Sequence, residues 1–161
     1  MESDSFSKTE EQRQILAFEV GTEEMGMDLS CVREVLRTQE VYPLSKASKF
    51  IEGVIDLRGH LVPLIDLGKR LHDGEVEKIP NQRIIVCKIN KFVVGLAVSG
   101  VKGIVTVREE EVEAAPELAT NPMEPEVITS LVKAGRRIIP VLNLDRVIPV
   151  RRSEEGVTAK P

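Results

Sequence analysis

The chain contains the same short pattern twice, and this repeat limits the possible folds more than any other feature. Residues 15–36 superpose without a gap on residues 84–105 when they are shifted by 69 positions, the shift that takes Gly26 to Gly95. The same shift places Ser30 on Ser99 and Val32 on Val101. Residues 61–67 likewise match residues 138–144, with the proline and the apolar positions in register. Alternation alone aligns apolar residues, but it does not align glycines, serines and prolines in one order. We therefore predict one small unit used twice.

Alternation of apolar and polar residues predicts that this unit is built from short strands. Residues 16–20 read Leu-Ala-Phe-Glu-Val, the pattern of a half-buried strand. Glycines and prolines interrupt the chain at short intervals, and no long amphipathic helix is indicated. Residues 109–125, an extra loop of the second copy, are too rich in proline to predict a regular element. The residues thus favour an all-β fold, either small barrels or a sandwich.

The domain organisation follows from where these patterns begin and end. We expect a flexible N-terminal tail at 1–13, one domain at 14–150 and a flexible C-terminal tail at 151–161. Within the domain, the first subdomain spans about 14–80 and the second about 84–150. The start at Met1 and the polar end favour a stand-alone chain, although a module of a larger protein stays an alternative.

Composition argues against nucleic acid and membrane as binding partners. The chain carries 22 Lys and Arg against 26 Asp and Glu, for a net charge of −4, and only 3% of its residues are aromatic. Nucleic-acid binding uses a basic face and aromatic stacking platforms. No apolar run approaches the roughly 20 residues that span a bilayer, and the polar start is no signal peptide. We expect a cytoplasmic protein without direct membrane insertion.

Catalytic and metal-binding motifs are not evident in the residues. Cys31 and Cys87 lack a C-x-x-C spacing and are predicted to be small apolar residues. The strongest enzyme-like feature is Asp66, which ends an apolar strand and suggests a magnesium- or phosphate-dependent enzyme as the alternative function. No glycine-rich phosphate loop accompanies it, and the matched position in the second copy is Asn143. A cap or turn role for Asp66 is favoured, and we expect no cofactor, no metal and no catalytic residue.

Arg58 is the residue for which the pattern leaves two interpretations. It follows the strand-like segment Ile55-Asp56-Leu57, in which alternation turns Asp56 and Arg58 to the same side. Arginine is favoured at interfaces because its planar donors bind carboxylates with defined geometry. The alternative is an ordinary surface ion pair worth about 0–1 kcal/mol.

The segment at 50–67, FIEGVIDLRGHLVPLIDL, resembles the signature of the CheW family of chemotaxis coupling proteins. Weaker similarity extends on both sides, in the segments MGMD, VREV, VGLAVSGV, PEL and IIPVLN, so that it covers about residues 14–150. The resemblance implies two SH3-like five-stranded β-barrel subdomains with short helical turns. It also implies a non-enzymatic adaptor.

The partners implied by this resemblance are two signalling proteins. One is the regulatory domain of the histidine kinase CheA, which carries a related module, so contact would run from barrel to barrel. The other is the cytoplasmic tip of chemoreceptors, a helical hairpin that would lie in a groove between the subdomains. The adaptor would be recruited from the cytoplasm to membrane-bound receptor arrays and would promote receptor control of kinase activity.

Site residues are implied where this sequence matches the family pattern. The receptor-binding positions are Val32, Glu34, Gly53, Arg58, Gly95 and Val101, with Glu34 as the acid that pairs with Arg58. Departures from the pattern include Asp56 for asparagine and Ser99 for aspartate. They leave the receptor class open, and the chain could serve a motility, pilus or other chemosensory system.

Overall fold

The computed structural model describes residues 12–45, 49–72, 82–115 and 127–148. Most of them lie in strands. In chain order the strands are β1 Gln12–Val20, β2 Glu23–Asp28, β3 Val32–Leu36, β4 Ile51–Leu57, β5 His60–Asp66, β6 Arg83–Ile89, β7 Phe92–Val98, β8 Gly100–Arg108, β9 Val112–Ala114, β10 Ile128–Ala134 and β11 Arg137–Leu142. The helical elements are α1 Leu67–His72, α2 Leu144–Val147 and the 3-10 turns Leu29–Cys31 and Glu109–Glu111.

The strands form two sheets with the same internal order. Sheet A runs β8-β1-β2-β11-β10-β9, and sheet B runs β3-β6-β7-β5-β4. The sequence repeat relates β1 to β6, β2 to β7, β3 to β8, β4 to β10 and β5 to β11. Applied to sheet B, this correspondence reproduces the first five strands of sheet A. The all-β, duplicated two-subdomain fold predicted from the sequence is confirmed.

Each sheet draws strands from both copies, so the subdomains do not follow the chain in sequence. Strands β1 and β2 of the first copy pair with β8 and β11 of the second. Strands β6 and β7 of the second copy pair with β3 and β5 of the first. The predicted division between 14–80 and 84–150 therefore does not separate the two sheets. The exchange ties the two copies together, because neither sheet can form from one copy alone.

The exchanged strands bury both of their faces. From β1, Ile15 and Ala17 join the cluster inside sheet A, whereas Leu16 and Phe18 join the core shared by the two sheets. Strand β6 repeats the arrangement, with Ile85, Cys87 and Ile89 in the shared core and Ile84 and Val86 inside sheet B. A strand that is apolar on both faces packs well only between two layers. The shared core therefore holds the subdomains against each other.

Strand β9 was not expected, since residues 109–125 were predicted to lack a regular element. Its Val112 lies opposite Val132 and its Ala114 opposite Ser130 on β10. Val112 also packs against the cluster inside sheet A, and this burial orders the segment before its prolines begin. Sheet A consequently has six strands instead of five. The prolines at 116, 122 and 125 lie outside the described residues.

The N-terminal boundary also differs from the expected one. Gln12 and Arg13, which were assigned to the flexible tail, belong to β1 and pair with Arg108 and Val107 of β8. Backbone hydrogen bonding to a long neighbouring strand extends β1 beyond its apolar residues. The rest of that tail, the C-terminal tail and most of the joint between the copies lie outside the described residues.

Candidate interaction surface

The hairpin between β4 and β5 presents Arg58 on a strained turn. Arg58 has a φ of 52° and Gly59 a φ of 90°. The left-handed region is unfavourable for a residue with a Cβ and natural for glycine. The Asp56 carboxylate accepts a 2.8 Å hydrogen bond from the Gly59 N–H and thereby closes the turn. Asp56, the departure from the family pattern, is engaged in this turn.

Arg58 forms an ion pair with Glu34 on β3. Strands β3 and β4 are the opposite edges of sheet B, so this pair brings the ends of one sheet together. The Arg58 side chain is 70% exposed and that of Glu34 is 30% exposed. An exposed pair of this kind contributes about 0–1 kcal/mol to stability. The structure thus joins these two predicted residues at the surface, where the fold needs neither of them strongly.

Val32 and Val101 occupy equivalent places on β3 and β8. Val32 lies opposite Cys87 on β6, and Val101 lies opposite Phe18 on β1. Both valines are half-buried and pack against the shared core. They therefore mark the two places where an edge strand leaves the core and meets solvent.

Gly53 serves the packing of sheet B. Its φ is 150°, and a Cβ there would overlap the Tyr42 carbonyl oxygen and lie 2.9 Å from the Pro43 Cα. Tyr42 needs this approach, because its backbone exchanges hydrogen bonds of 2.8 and 2.9 Å with Val54. Only glycine allows the two segments to come so close. A binding role predicted for Gly53 can act only through the shape of this segment.

Gly95 also lies in the interior. A Cβ at Gly95 would lie 3.0 Å from Ile84 Cγ2 and 3.3 Å from Leu64 Cδ1. Its counterpart Gly26 is tighter still, with Ile15 Cγ2 at 2.6 Å from the Cβ position. The matched glycines of the repeat thus let a neighbouring isoleucine fill the inside of each sheet. The predicted role of Gly95 in receptor binding stays a prediction.

Asp66 is a helix cap. It is 1% exposed, and its Oδ1 accepts a 3.0 Å hydrogen bond from the Lys69 N–H in the first turn of α1. Asn143 repeats this role for α2, where its side chain accepts a 3.2 Å hydrogen bond from the Asp145 N–H. Aspartate and asparagine are both favoured N-cap residues, which explains why either can occupy this position. The alternative of an enzyme built on Asp66 is not supported.

Four of the exposed aliphatic residues form two matched pairs, and the sequence analysis did not identify them. Val35 and Ile104 are 39% and 56% exposed at equivalent places on β3 and β8. Leu61 and Ile138 are 66% and 53% exposed at equivalent places on β5 and β11. An apolar residue at an outward-facing strand position indicates a contact surface when both copies of the repeat carry one. The alignment of the two copies already contained these matched positions.

Burial and charge suppress ionisation of both cysteines. Burial raises the pKa of the Cys87 thiol to about 12, with a smaller contribution from Cys31. Partial burial and the Asp28 carboxylate raise the pKa of Cys31. Thiols that stay protonated are poor nucleophiles and poor metal ligands. Cys87 is fully buried, as the prediction of a small apolar residue requires.

Within the described ranges, no group of three or more His, Cys, Asp or Glu side chains is arranged to hold a metal ion. Across the same residues, no helix has the length and apolar character that crossing a membrane requires.

Comparison with known proteins places the chain in a family. The family model described as the CheW-like domain matches residues 14–152. The chain belongs to the CheW-like family. The CheW chemotaxis protein of Rhizobium meliloti is 31% identical over 88% of this chain and 91% of its own length. That of Bacillus subtilis is 30% identical over 89% of this chain and 91% of its own length. The resemblance stated from the motifs is thus confirmed.

A solved structure supports the same assignment of the fold. The scaffolding protein TtCheW from Thermoanaerobacter tengcongensis superposes on this CheW-like chain with a TM-score of 0.79. It is 28% identical, and the match covers 88% of this chain and 96% of the other. Proteins of the CheW family are scaffold adaptors and not enzymes, and the chain has a scaffold role in chemotaxis signalling.

Proposed function

We propose that this chain couples the cytoplasmic tips of chemoreceptors to the regulatory domain of the histidine kinase CheA. It would act in the cytoplasm, recruited to receptor arrays, and would bring kinase activity under receptor control. Family membership supports the scaffold role. Our assignment of the specific partners rests on the surface residues described above.

The observation that carries the proposal is the conformation of Arg58. The equivalent hairpin of sheet A, between β10 and β11, has Gly135 at the matched position, with a φ of 66°. The first position of the turn has a positive φ in both hairpins, and it is glycine in sheet A but arginine in sheet B. Backbone strain that glycine would relieve is typical of positions kept for their side chain. We assign that side chain to receptor coupling.

The remaining predicted positions fit a receptor face in two different ways. Val32 and Val101 offer half-buried apolar side chains beside the shared core, where an amphipathic helix of the receptor hairpin could pack. Glu34 holds Arg58 in place through their ion pair. Gly53 and Gly95 would contribute by keeping neighbouring segments close, since neither has a side chain to offer.

The four exposed aliphatic residues are our candidates for kinase contact. They occur at equivalent places on both subdomains, as expected if each subdomain docks a related module. Contiguous exposed apolar surface marks sites of contact with other proteins. Leu61, at 66% exposure, is the strongest candidate for an anchor residue.

The test is receptor-coupled kinase activity in a reconstituted system. Receptor fragments in vesicles, CheA and the chain are mixed, and CheA autophosphorylation is followed with and without attractant. Arg58→Ala should lose most of the coupling while thermal unfolding stays within a few degrees, because the ion pair is exposed. Arg136→Ala is the matched control, since Arg136 is an exposed arginine in the equivalent hairpin of sheet A.

Full coupling by Arg58→Ala would contradict the assignment of Arg58. Equal loss in Arg58→Ala and Arg136→Ala would point to general electrostatic attraction instead of a specific site. If the wild-type chain has no effect on CheA in this system, the proposed partners are wrong.

A further inference from the structure

The outer face of sheet B carries an exposed apolar patch. Val54 on β4 lies opposite Pro63 on β5, and Asp56 lies opposite Leu61. Residues opposite each other in an antiparallel pair point to the same face, and so do residues two positions apart along a strand. These four residues therefore form one outer surface, which we call patch B. Its valine and proline are half-buried, whereas Leu61 is fully exposed to contact.

Sheet A carries the matched surface. Leu131 on β10 lies opposite Pro140 on β11, and Lys133 lies opposite Ile138. The shift that relates residues 61–67 to residues 138–144 places each of these four residues on a member of patch B. We call this surface patch A. Leu131 and Pro140 are half-buried and Ile138 is exposed, so the apolar layout is the same in the two patches.

The two patches differ in the sign of their charge. Asp56 in patch B stands where patch A has Lys133, and both side chains are exposed. The charge of Arg58, close to Asp56 in the chain, is balanced by its ion pair with Glu34. Within the described part of the chain, Lys133 has no ion-pair partner. An acid and a base thus occupy equivalent places beside the same apolar surface.

The segments at the edges of the patches add a second difference. Tyr42 pairs with Val54 beside patch B, and Glu113 of β9 pairs with Leu131 beside patch A. The Tyr42 hydroxyl donates a 3.3 Å hydrogen bond to Glu40 Oε1. The border of patch A is therefore acidic at a place where the border of patch B is aromatic. The apolar residues match in the two patches, whereas their polar surroundings do not.

We propose that the two patches bind the kinase at two different sites of opposite charge. Patch B takes an apolar site flanked by a basic residue, and patch A takes one flanked by an acidic residue. This inference rests on the proposed function, because it takes the regulatory domain of CheA as the partner. The family resemblance gives that domain a related module, and this chain demonstrates that such a module can present one acidic and one basic patch.

The charges make the two patches non-interchangeable. Like charges that face each other across an interface oppose binding, so each patch rejects the site that fits the other. The apolar residues alone do not discriminate between the sites, since they are matched. Asp56 and Lys133 are therefore the residues that fix which side of the scaffold faces which kinase site.

Photo-crosslinking reads the two patches separately in the full chain. The photoreactive residue p-benzoylphenylalanine replaces Leu61 in one variant and Ile138 in another, and each is irradiated with full-length CheA. Mass spectrometry then locates the crosslinked kinase residues. We expect two separate sets, with a basic kinase residue beside the set reached from position 61 and an acidic one beside the set reached from position 138.

Reversing the charge of patch A tests its specificity. Lys133→Glu should reduce crosslinking from position 138 about tenfold, because it places an acid against an acid, and should leave crosslinking from position 61 unchanged. Lys91→Glu is the matched control, since Lys91 is an exposed lysine outside both patches. It changes the net charge equally and should leave both yields unchanged. Thermal unfolding verifies that each variant is folded.

Neutralising patch B gives the reciprocal test. Asp56→Asn keeps an acceptor oxygen for the Gly59 N–H, which closes the turn, and removes only the charge. Crosslinking from position 61 should fall about threefold, the effect of losing one exposed charge pair, and crosslinking from position 138 should not change.

Several results would overturn the inference. Overlapping kinase sets, yields unaffected by Lys133→Glu, or equal losses in Lys133→Glu and Lys91→Glu would show that patch charge does not select the site. Crosslinks to another copy of this chain in place of the kinase would make a second copy the occupant. If calorimetry shows kinase binding without crosslinks from either patch, the inference fails and the proposed function stands. If the wild type does not bind CheA at all, the proposed partner is wrong and the inference falls with it.

Discussion

Sheets A and B share one strand order, but their corresponding hairpins are finished with different residues. Sheet B closes its β4–β5 turn with Arg58, whereas sheet A closes the matched turn with Gly135. Positions inside the sheets are alike in the two copies, as Gly26 and Gly95 illustrate. Packing keeps the interior strand positions apolar in both copies, whereas the exposed turns were free to diverge.

The largest effect is expected where sheet B depends on a glycine that sheet A does not need. Gly53→Ala should destabilise the protein by about 3 kcal/mol, because the new Cβ meets the Tyr42 and Pro43 backbone and the φ of 150° disfavours any side chain. Urea unfolding measures the change. The control is Gly59→Ala, where nothing lies within 4 Å and only the φ of 90° opposes the substitution. Equal losses in the two variants would show that steric overlap is not the cause.

The stability cost of replacing each matched interior glycine by alanine should depend on the space around that glycine. Gly26→Ala should cost about 2 kcal/mol and Gly95→Ala about 1 kcal/mol, because the nearest side-chain atom lies at 2.6 Å in the first case and at 3.0 Å in the second. Both neighbours are isoleucine side chains, Ile15 and Ile84, so the pair differs in distance more than in chemistry. Urea unfolding of both variants measures which substitution costs more stability. The opposite order would mean that sheet A relaxes more easily than sheet B.

The stability of the two hairpin turns should respond unequally to an exchange of residues. Gly135→Arg should destabilise by about 1 kcal/mol, since it adds strain at a φ of 66°. Arg58→Gly should change stability by less than about 1 kcal/mol, because relief of strain offsets loss of the ion pair with Glu34. Thermal and urea unfolding give both values. A large loss in Arg58→Gly would make Arg58 a structural residue and would weaken its assignment to coupling.

The smallest effect concerns Asp28, which has no charged counterpart in the other copy. Burial opposes its ionisation, but the hydrogen bonds from Ser30 and the charge of Arg13 lower its pKa below 3.8. A carboxyl group with a lowered pKa contributes stability at neutral pH that is lost as the pH falls below 3.8. The stability difference between wild type and Asp28→Asn should therefore shrink between about pH 6 and about pH 2.5. If the unfolding free energies of the two proteins change in parallel with pH, this expectation is wrong.

Much of the fold was predictable because the repeat restrains two segments at once. Val32, Val35 and Leu36 have the spacing of a helix, but the matched residues Val101, Ile104 and Val105 lie among glycines, which disfavour a helix, and both segments lie in strands. Strand β9 was missed because its order comes from pairing with β10, which no local pattern reveals. The ion pair of Arg58 with Glu34 came from family resemblance, whereas the strain at Arg58 needed backbone angles.

Most of the strands, the duplication and the family can be read from the order of residues along the chain. Only the folded structure shows that β1 and β2 leave their own copy and complete the sheet of the other. It also shows that Asp28 accepts hydrogen bonds from Ser30, whereas the matched Ser99 accepts one from the Gly21 N–H. The physical reason is that alternation reports which face of a strand is buried, whereas the choice of neighbouring strand depends on contacts between residues far apart in the chain.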